Sequence, residues 1–337
     1  MRATMIGLIL LLYGCQDQAS GGGGARRTRI TVVGSSTIYP FTTLVAERFV
    51  ADHPEAEAPV IESTGTGAGM KLFCAGIGAR YPDLADASRR MTRAEYERCA
   101  ANHVGGVMEL QVGIDGVAFA RGADGPPLSL TLASIYRALA AEPGGRANTA
   151  RTWRDVDRSL PAVPIRVYGP PATSGTRDAL AQLILARGCA AAHDRDEAAR
   201  CTRIREDGAY VDSGESDTFI VRKLAADPQA IGVFGYSYLA GNRERVSGIP
   251  IDGIAPDRDT IASGRYAGAR PLYLYVKRAH LDAVPGLRAF LALYAASWGP
   301  AGPLERRGLI ASPAPIRVAA AAAIAQAIPL DPEALAR

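Results

Sequence analysis

The chain has 337 residues, enough for two units that each bury a hydrophobic core. Its composition, 48% hydrophobic and 21% charged, is that of a globular protein. The net charge of +4 is small, and no dense Lys/Arg run is interleaved with aromatic residues, which argues against nucleic acid as a partner.

The N-terminus has the pattern of an export signal. Arg2 supplies a positive start, and residues 5–13 form an apolar stretch too short to span a bilayer. Residues 12–15 (LYGC) resemble the lipobox of bacterial lipoproteins, which implies a signal peptide at 1–14 and a lipid on Cys15. Residues 15–28, with four consecutive glycines, are then a flexible linker. A plain secretory leader with an unmodified cysteine is the alternative.

Four further cysteines favour disulfides in an exported chain: Cys74, Cys99, Cys189 and Cys201. Three pairings are possible, and the local pairs Cys74–Cys99 and Cys189–Cys201 are favoured because each closes a short loop. A zinc site is the alternative, but the chain has no CxxC motif and its histidines stand apart. We therefore expect no metal and no cofactor.

From residue 29 onward, the chain alternates between predicted strands and helices, which is typical of an α/β fold. The predicted strands are 30–33, 59–63, a stretch ending at 86–90, 107–111, 116–120, 165–168, 230–235 and 271–276. The predicted helices are 41–51, 70–74, one opened by a capping box at 92–95, 130–139, 178–187, 217–226, 287–298 and 318–328.

This order of elements predicts two structural units, with the chain passing from the first to the second and back again. We expect residues 29–120 and 243–337 to form lobe I and residues 121–242 to form lobe II. Two α/β lobes that face each other make a cleft able to close around a small ligand.

Three short Gly/Ser/Thr stretches run directly into predicted helices: 34–37 (GSST), 63–69 (STGTGAG) and 173–177 (TSGTR). A helix N-terminus presents unpaired N–H groups and a partial positive charge, so it can bind an anion. Glycine allows close approach of the backbone, and Ser or Thr hydroxyls add donors. One such stretch is typical of an N-cap and a turn, but three predict a small oxyanion held by several helix starts.

These segments together resemble the periplasmic phosphate-binding proteins, the substrate-binding subunits of bacterial phosphate ABC transporters. The likeness covers residues 30–295 and rests on the order of 33–41 (VGSSTIYPF), 62–67 (ESTGTG), 86–90 (DASRR), 174–177 (SGTR) and 232–238 (GVFGYSY). It implies a two-lobed periplasmic-binding-protein fold, type II-like, with interlobe crossover strands and a ligand cleft between the lobes. It also implies a periplasmic monomer, lipid-anchored to the membrane, that binds inorganic phosphate and delivers it to permease subunits.

The resemblance implies a set of ligand contacts: Ser36, Thr37 and Ile38 from the first stretch, Thr66 from the second, and Ser174, Gly175 and Thr176 from the third. Two positions depart from the family. Some relatives have an aspartate that accepts the phosphate proton where this chain has Arg89, and an arginine where it has Pro170. We expect Arg89 or Arg177 to supply the guanidinium, which binds two oxyanion oxygens at once.

A proton acceptor for phosphate must then lie elsewhere in the chain. The candidates are Asp86, Asp115, Glu215, Asp217 and a backbone carbonyl. By themselves, Asp115 is typical of a turn or hinge residue, and Glu215 and Asp217 are typical of a helix cap.

Two other functions stay open. Without the family aspartate, the chain could be a receptor for another tetrahedral oxyanion such as sulfate. It could also be a secreted phosphate-ester hydrolase built on the same pocket. An enzyme is disfavoured because the sequence contains neither a GxSxG elbow nor an HExxH motif, and its four histidines are dispersed.

Overall fold

The computed structural model describes residues 28–172, 174–194, 198–214 and 216–335. The predicted signal peptide, Cys15 and residues 16–27 of the predicted linker lie outside these described residues. In the described part of the chain, no helix is both long and apolar enough to cross a membrane.

Within the described ranges, nine strands form one mixed sheet in the order β2-β1-β3-β9-β4-β7-β5-β6, with β8 beside β4. The strands are β1 (Thr31–Gly34), β2 (Val60–Ser63), β3 (Leu84–Ala87), β4 (Val107–Gly122), β5 (Val167–Gly169), β6 (Tyr210–Asp212), β7 (Ile231–Gly235), β8 (Val246–Gly248) and β9 (Ala269–Lys277).

Helices cover both faces of this sheet. They are α1 (Tyr39–Asp52), α2 (Thr66–Phe73), α3 (Arg93–Ala101), α4 (Leu132–Leu139), α5 (Trp153–Val156), α6 (Gly175–Ala179), α7 (Ala186–Ala191), α8 (Ala198–Thr202), α9 (Asp217–Ala226), α10 (Tyr236–Gly241), α11 (Arg258–Ala262), α12 (Leu287–Ser297), α13 (Pro303–Arg306) and α14 (Ala314–Gln326). A π-helical stretch (Leu180–Leu185) joins α6 to α7 without a break.

Strand β4 is shared by the two halves of the molecule. Its first part, up to Gly116, pairs antiparallel with β9, and its second part, from Val117, pairs antiparallel with β7. The two short strands predicted at 107–111 and 116–120 are therefore one continuous strand. Because β4 enters both sheet halves, it ties them together in the middle of the molecule.

The apolar side chains form two large cores, one on each side of this crossing. The first includes Val45, Leu110 and Phe290, and the second includes Phe119, Trp153 and Phe234, all buried. Apolar residues between 246 and 267 also pack in the second core, although the predicted boundary placed them in lobe I. The chain re-enters the first core along β9, after β8 has paired with the end of β4.

Both favoured disulfides are formed, which confirms the predicted pairing. Cys74–Cys99 joins the end of α2 to α3 with 4.2 Å between Cα atoms, and Cys189–Cys201 joins α7 to α8 with 5.7 Å. Cys74 and Cys99 are fully buried in an apolar cluster. The predicted capping box of α3 is also present, between Thr92 and Glu95.

Removing a disulfide is expected to destabilise the protein more when the loop that it closes is longer. The sequence separation is 25 for Cys74–Cys99 and 12 for Cys189–Cys201. Loop-closure entropy then predicts losses of about 3.5 and about 2.8 kcal/mol in the free energy of unfolding when each pair is replaced by alanine. Urea denaturation of the two double variants tests this order, and a larger loss for Cys189–Cys201 would contradict it.

Candidate anion-binding site

Three neighbouring strands of the first half end at one edge of the sheet. Strand β1 pairs in parallel with β2 and β3, and Gly34 lies opposite both Ser63 and Asp86. The residues that follow these strands therefore lie side by side, where ligands bind in α/β sheets. We call residues 35–38 loop 1, residues 64–66 loop 2 and residues 170–176 loop 3.

Gly34 sets the path of loop 1. Its φ of +134° disfavours an L side chain, and an added Cβ would lie 2.1 Å from the carbonyl oxygen of Asp86. The next amide, that of Ser35, donates to the same carbonyl at 2.9 Å. Loop 1 is thus held tightly against the end of β3.

Loop 1 satisfies much of its own backbone. The amide of Thr37 donates to the Ser35 hydroxyl at 3.2 Å, and the amide of Ile38 donates to the Ser35 carbonyl at 3.2 Å. The amide of Ile38, predicted to bind the ligand, therefore has a partner inside the loop. The hydroxyl groups of Ser36 and Thr37 reach instead toward loop 3.

Loop 3 leads into helix α6, in the second half of the molecule. Ser174 is the N-cap of α6, and its hydroxyl accepts from the amide of Thr176 at 3.3 Å. Thr173, inside the predicted segment, lies outside the described residues. Because α6 continues through the π-helical stretch into α7, this N-terminus heads a helix that ends at residue 191.

Loops 1 and 3 touch at Gly175. An added Cβ on this residue would lie 2.1 Å from Oγ1 of Thr37 and 2.7 Å from Oγ of Ser36. Only glycine permits such an approach without displacement. The structure therefore brings together the predicted residues of the first and third segments, which come from different halves of the molecule.

Arg270, which sequence reasoning missed, connects this contact to the crossing strands. Its Nη2 donates to Oγ1 of Thr37 at 2.7 Å and to the carbonyl of Gly175 at 3.0 Å. Asp115 Oδ2 accepts from the same Nη2 at 3.1 Å and from Nε at 3.2 Å. Arg270 is only 3% exposed. One buried guanidinium thus joins loop 1, loop 3 and β4.

Some N–H donors of the Arg270 guanidinium have no acceptor among the described residues. Nη2 carries two hydrogens and faces three oxygen atoms, so its hydrogen bonds are shared. Nη1, which carries two more hydrogens, has no acceptor among the described residues. A planar guanidinium placed in this way can bind two oxygens of an anion.

Loop 2 is bound to the residue that follows β3. The hydroxyl of Thr66 accepts from the amide of Ser88 at 3.0 Å and lies 3.0 Å from the Ser88 hydroxyl. Both side chains are half-buried. Ser88 is a hydroxyl residue at this edge that the predicted ligand set did not include.

Arg89 is engaged away from loops 1 and 3. Its two terminal nitrogens donate to the two carboxylate oxygens of Glu95, at 2.9 and 2.8 Å. Burial alone would raise the pKa of Glu95, but the hydrogen bonds from Arg89 and Thr92 lower it. Glu95 also belongs to the capping box of α3, so this ion pair fixes the start of that helix.

Arg177 stacks on an aromatic ring. Its guanidinium carbon lies 4.0 Å from the ring centroid of Tyr210, whose hydroxyl donates to the carbonyl of Pro170 at 2.8 Å. Burial raises the pKa of Tyr210 to about 12, and the nearby Arg177 opposes that rise. Arg177 therefore supports loop 3 from the side of β6.

A buried carboxyl group lies next to loop 1. Both oxygens of Asp86 lie within 3.0 Å of the Thr42 hydroxyl, which also meets the Tyr294 hydroxyl at 3.1 Å. Burial raises the pKa of Asp86 to about 8, against the opposing Thr42 hydrogen bond. Asp86 thus holds a proton more tightly than a free carboxyl group and is committed to the core. Another acceptor candidate, Glu215, lies outside the described residues.

The free energy of unfolding should decrease as the pH rises because of Asp86. The folded protein binds this proton more tightly than the unfolded chain, so the contribution is complete below about pH 4 and is lost as pH rises through 8. Relative to Asp86→Asn, we expect the wild-type free energy of unfolding to decline by at most about 1.4 kcal/mol per pH unit. Urea denaturation between about pH 5 and 8 measures it, and parallel curves would refute it.

The described residues contain no group of three or more His, Cys, Asp or Glu side chains that could hold a metal ion. What the site offers is hydroxyl groups, helix N-termini and one buried guanidinium. These groups bind oxyanions.

Comparison with known proteins identifies the family. The PBP superfamily domain matches residues 19–297. The chain belongs to the PBP superfamily. Protein SphX of Synechocystis is 31% identical over 277 residues, which cover 80% of this chain and 74% of SphX. The phosphate-binding protein PstS of Staphylococcus haemolyticus is 26% identical over 321 residues, covering 92% of this chain and 91% of PstS.

A solved structure shares the fold. The crystal structure of a possible phosphate binding protein from Planctomyces limnophilus is 26% identical and has a TM-score of 0.70. The match covers 89% of this chain and 99% of that one. The predicted α/β fold of the periplasmic-binding-protein type is therefore confirmed.

Proposed function

We propose that this protein binds inorganic phosphate between loop 1 and loop 3, with Arg270 as the main charged donor. The observation that carries the proposal is the single guanidinium that contacts Thr37 and Gly175 from opposite halves of the molecule. Similarity to PstS, a phosphate-binding protein, supports phosphate as the anion.

Each loop has donors to offer the anion. The Thr37 hydroxyl accepts from Arg270, so its own hydrogen is available, and Ser36 adds a second hydroxyl beside it. On the opposite side, the N-terminus of α6 supplies N–H groups and a partial positive charge. Thr66 and Ser88 lie at the same sheet edge as loop 1 and can complete the set.

In this proposal Arg270 takes the role predicted for Arg89. The guanidinium of Arg89 is held by Glu95 through two hydrogen bonds, whereas Nη1 of Arg270 faces no acceptor within the described ranges. A side chain with open donors binds an anion without first breaking an ion pair. Arg177 is proposed to position loop 3.

The anion enters when the two halves separate. The close contact at Gly175 leaves no space between the loops for a tetrahedral ion. Hinge closure around the ligand then uses the two chain crossings, β4 and the segment before β9. Binding replaces the direct contact between loop 1 and Gly175 with contacts of both loops to the anion, to which Nη1 of Arg270 donates.

The proposed setting is the cell envelope. The resemblance to phosphate-binding subunits of ABC transporters supports delivery of phosphate to permease subunits by a monomer. The lipobox-like residues 12–15 support a lipid anchor on Cys15 in a periplasmic protein. Globomycin-sensitive processing and incorporation of labelled palmitate would test the anchor. A Cys15→Ser chain that still incorporates the label would refute it.

Titration calorimetry tests the function. We expect phosphate to bind the purified protein with a micromolar or lower dissociation constant, about −8 kcal/mol or better. No heat of binding with phosphate would contradict the proposal. The enzyme alternative is tested with a chromogenic phosphate ester, in assays with and without added divalent metal. Hydrolysis in either assay would favour that alternative.

A further inference from the structure

Resting on the proposed phosphate site, we propose that Asp115 is the specificity-determining residue that accepts the hydrogen bond of a protonated oxyanion. Its carboxylate would favour phosphate and arsenate, which carry an O–H at neutral pH, over sulfate, which carries none.

The position of Asp115 follows from strand pairing. Asp115 and Arg270 are register partners across β4 and β9, so their side chains start from neighbouring points of the sheet. Oδ2 of Asp115 accepts from Nε and Nη2 of Arg270, at 3.2 and 3.1 Å. The same Nη2 lies 2.7 Å from Thr37 Oγ1 and 3.0 Å from the Gly175 carbonyl. The carboxylate therefore borders the meeting point of loops 1 and 3.

One oxygen of this carboxylate is open. Oδ1 of Asp115 receives no hydrogen bond from any described residue, although the side chain is only 16% exposed. A half-satisfied carboxylate in such a place has capacity to accept a hydrogen bond. Next to it, Nη1 of Arg270 has open donors. The pair thus offers both an acceptor and a donor to one ligand.

Other carboxylates near the site are less suited. The carboxyl group of Asp86 is buried and engaged by Thr42. Partial burial raises the pKa of Asp178 and the nearby Arg270 opposes that rise, but the residue lies exposed on the first turn of α6. A solvated carboxylate discriminates weakly, because water can satisfy it when the ligand does not.

The discrimination has a simple electrostatic basis. An ionised carboxylate can only accept, so it makes a charge-assisted bond with a ligand O–H. Against sulfate, it faces an oxygen with no hydrogen, and two negative groups repel in a poorly solvated cleft. Sites that hydrogen-bond a ligand hydroxyl reject analogues that lack it by about 10⁴-fold.

Asp115→Asn reverses this selection. Because Arg270 needs an acceptor, the amide oxygen is held at the place of Oδ2 and the NH₂ group replaces Oδ1. The side chain then donates where it accepted. We expect the phosphate-to-sulfate affinity ratio, measured by calorimetry, to fall at least about 100-fold, with arsenate following phosphate. Asp178→Asn is the matched control and should keep the wild-type ratio.

The outcomes separate the two proposals. If wild type binds none of the three anions, the proposed function itself fails. If wild type binds phosphate and sulfate equally, or Asp115→Asn keeps the wild-type ratio, the inference about Asp115 is overturned. Loss of the ratio in Asp178→Asn alone would assign the acceptor to Asp178 instead.

Folding of the variant is checked by its melting temperature. Asp115→Ser, which removes the carboxylate and adds no bulk, is the second variant and should also lose the ratio. If neither variant folds, the wild-type phosphate complex decides: an anion oxygen within hydrogen-bond distance of Oδ1 supports the inference. An anion out of reach of Oδ1 overturns it.

Discussion

Arg270→Ala should weaken phosphate binding by more than about 100-fold. The guanidinium is buried and contacts both loops, so its removal leaves a desolvated anion without its main positive partner. We expect a loss of about 3 kcal/mol or more, which is over 100-fold in the dissociation constant measured by calorimetry. Arg270→Lys keeps the charge but not the planar guanidinium, so its dissociation constant should lie between those of the wild type and Arg270→Ala.

Arg265→Ala is the matched control for this variant. Arg265 lies in the same part of the chain but is exposed, and its Nε donates to the Ser263 hydroxyl at 3.3 Å. Removing one surface charge should change phosphate affinity by less than about threefold, since exposed charges are screened. If the Arg270→Ala protein melts normally and binds phosphate with the same affinity as the Arg265→Ala protein, Arg270 is not part of the site.

Gly175→Val should also weaken phosphate binding strongly while the two cores stay folded. An added Cβ would meet Oγ1 of Thr37 at 2.1 Å and its backbone nitrogen at 2.8 Å, so a valine side chain would occupy the space between loops 1 and 3 that the anion is proposed to fill. Overpacking of this kind costs about 1–3 kcal/mol, and here it falls on the complex, in which both loops contact the anion. We expect at least a 30-fold weaker dissociation constant.

Gly105→Ala controls for the loss of a glycine. Gly105 has open space around its Cβ position and is exposed, so alanine should be tolerated there. Circular dichroism and melting curves show whether each variant is folded. A folded Gly175→Val protein with wild-type affinity would mean that the loops need not approach each other, and that phosphate binds elsewhere.

Much of the fold was predictable because its signals are local. The helix predicted at 217–226 has the bounds of α9, and the capping box at 92–95 begins α3 as expected. Apolar runs located β1, β7 and most of β9. The predicted break at 112–115 was wrong, since β4 continues through the register shift near Gly113.

The site was only half predictable. Gly/Ser/Thr stretches before helices identified loops 1 and 3, because a short motif carries their anion-binding chemistry. Arg270 stands alone before the apolar run of β9, and nothing local distinguishes it from a surface arginine. Its role depends on the pairing of β4 with β9 and on the approach of loop 3. Such contacts join residues that are far apart in the sequence, so a sequence pattern does not predict them.

Arg89 illustrates the opposite problem. Its place within the segment 86–90 suggested a ligand contact, yet the residue that satisfies it, Glu95, lies six positions further along the chain. Glu95 was assigned to the capping box alone. One carboxylate performs both tasks, and sequence spacing does not show which arginine it selects. Whether Arg89 contacts an anion in another state of the cleft stays a prediction.

A crystal structure of the complex with about one equivalent of phosphate would show whether the anion binds between loops 1 and 3. We predict the phosphorus atom between loops 1 and 3, with anion oxygens within hydrogen-bond distance of the Thr37 hydroxyl, the α6 N-terminus and Nη1 of Arg270. Phosphate bound at Arg89, or at a surface away from Arg270, would contradict the account.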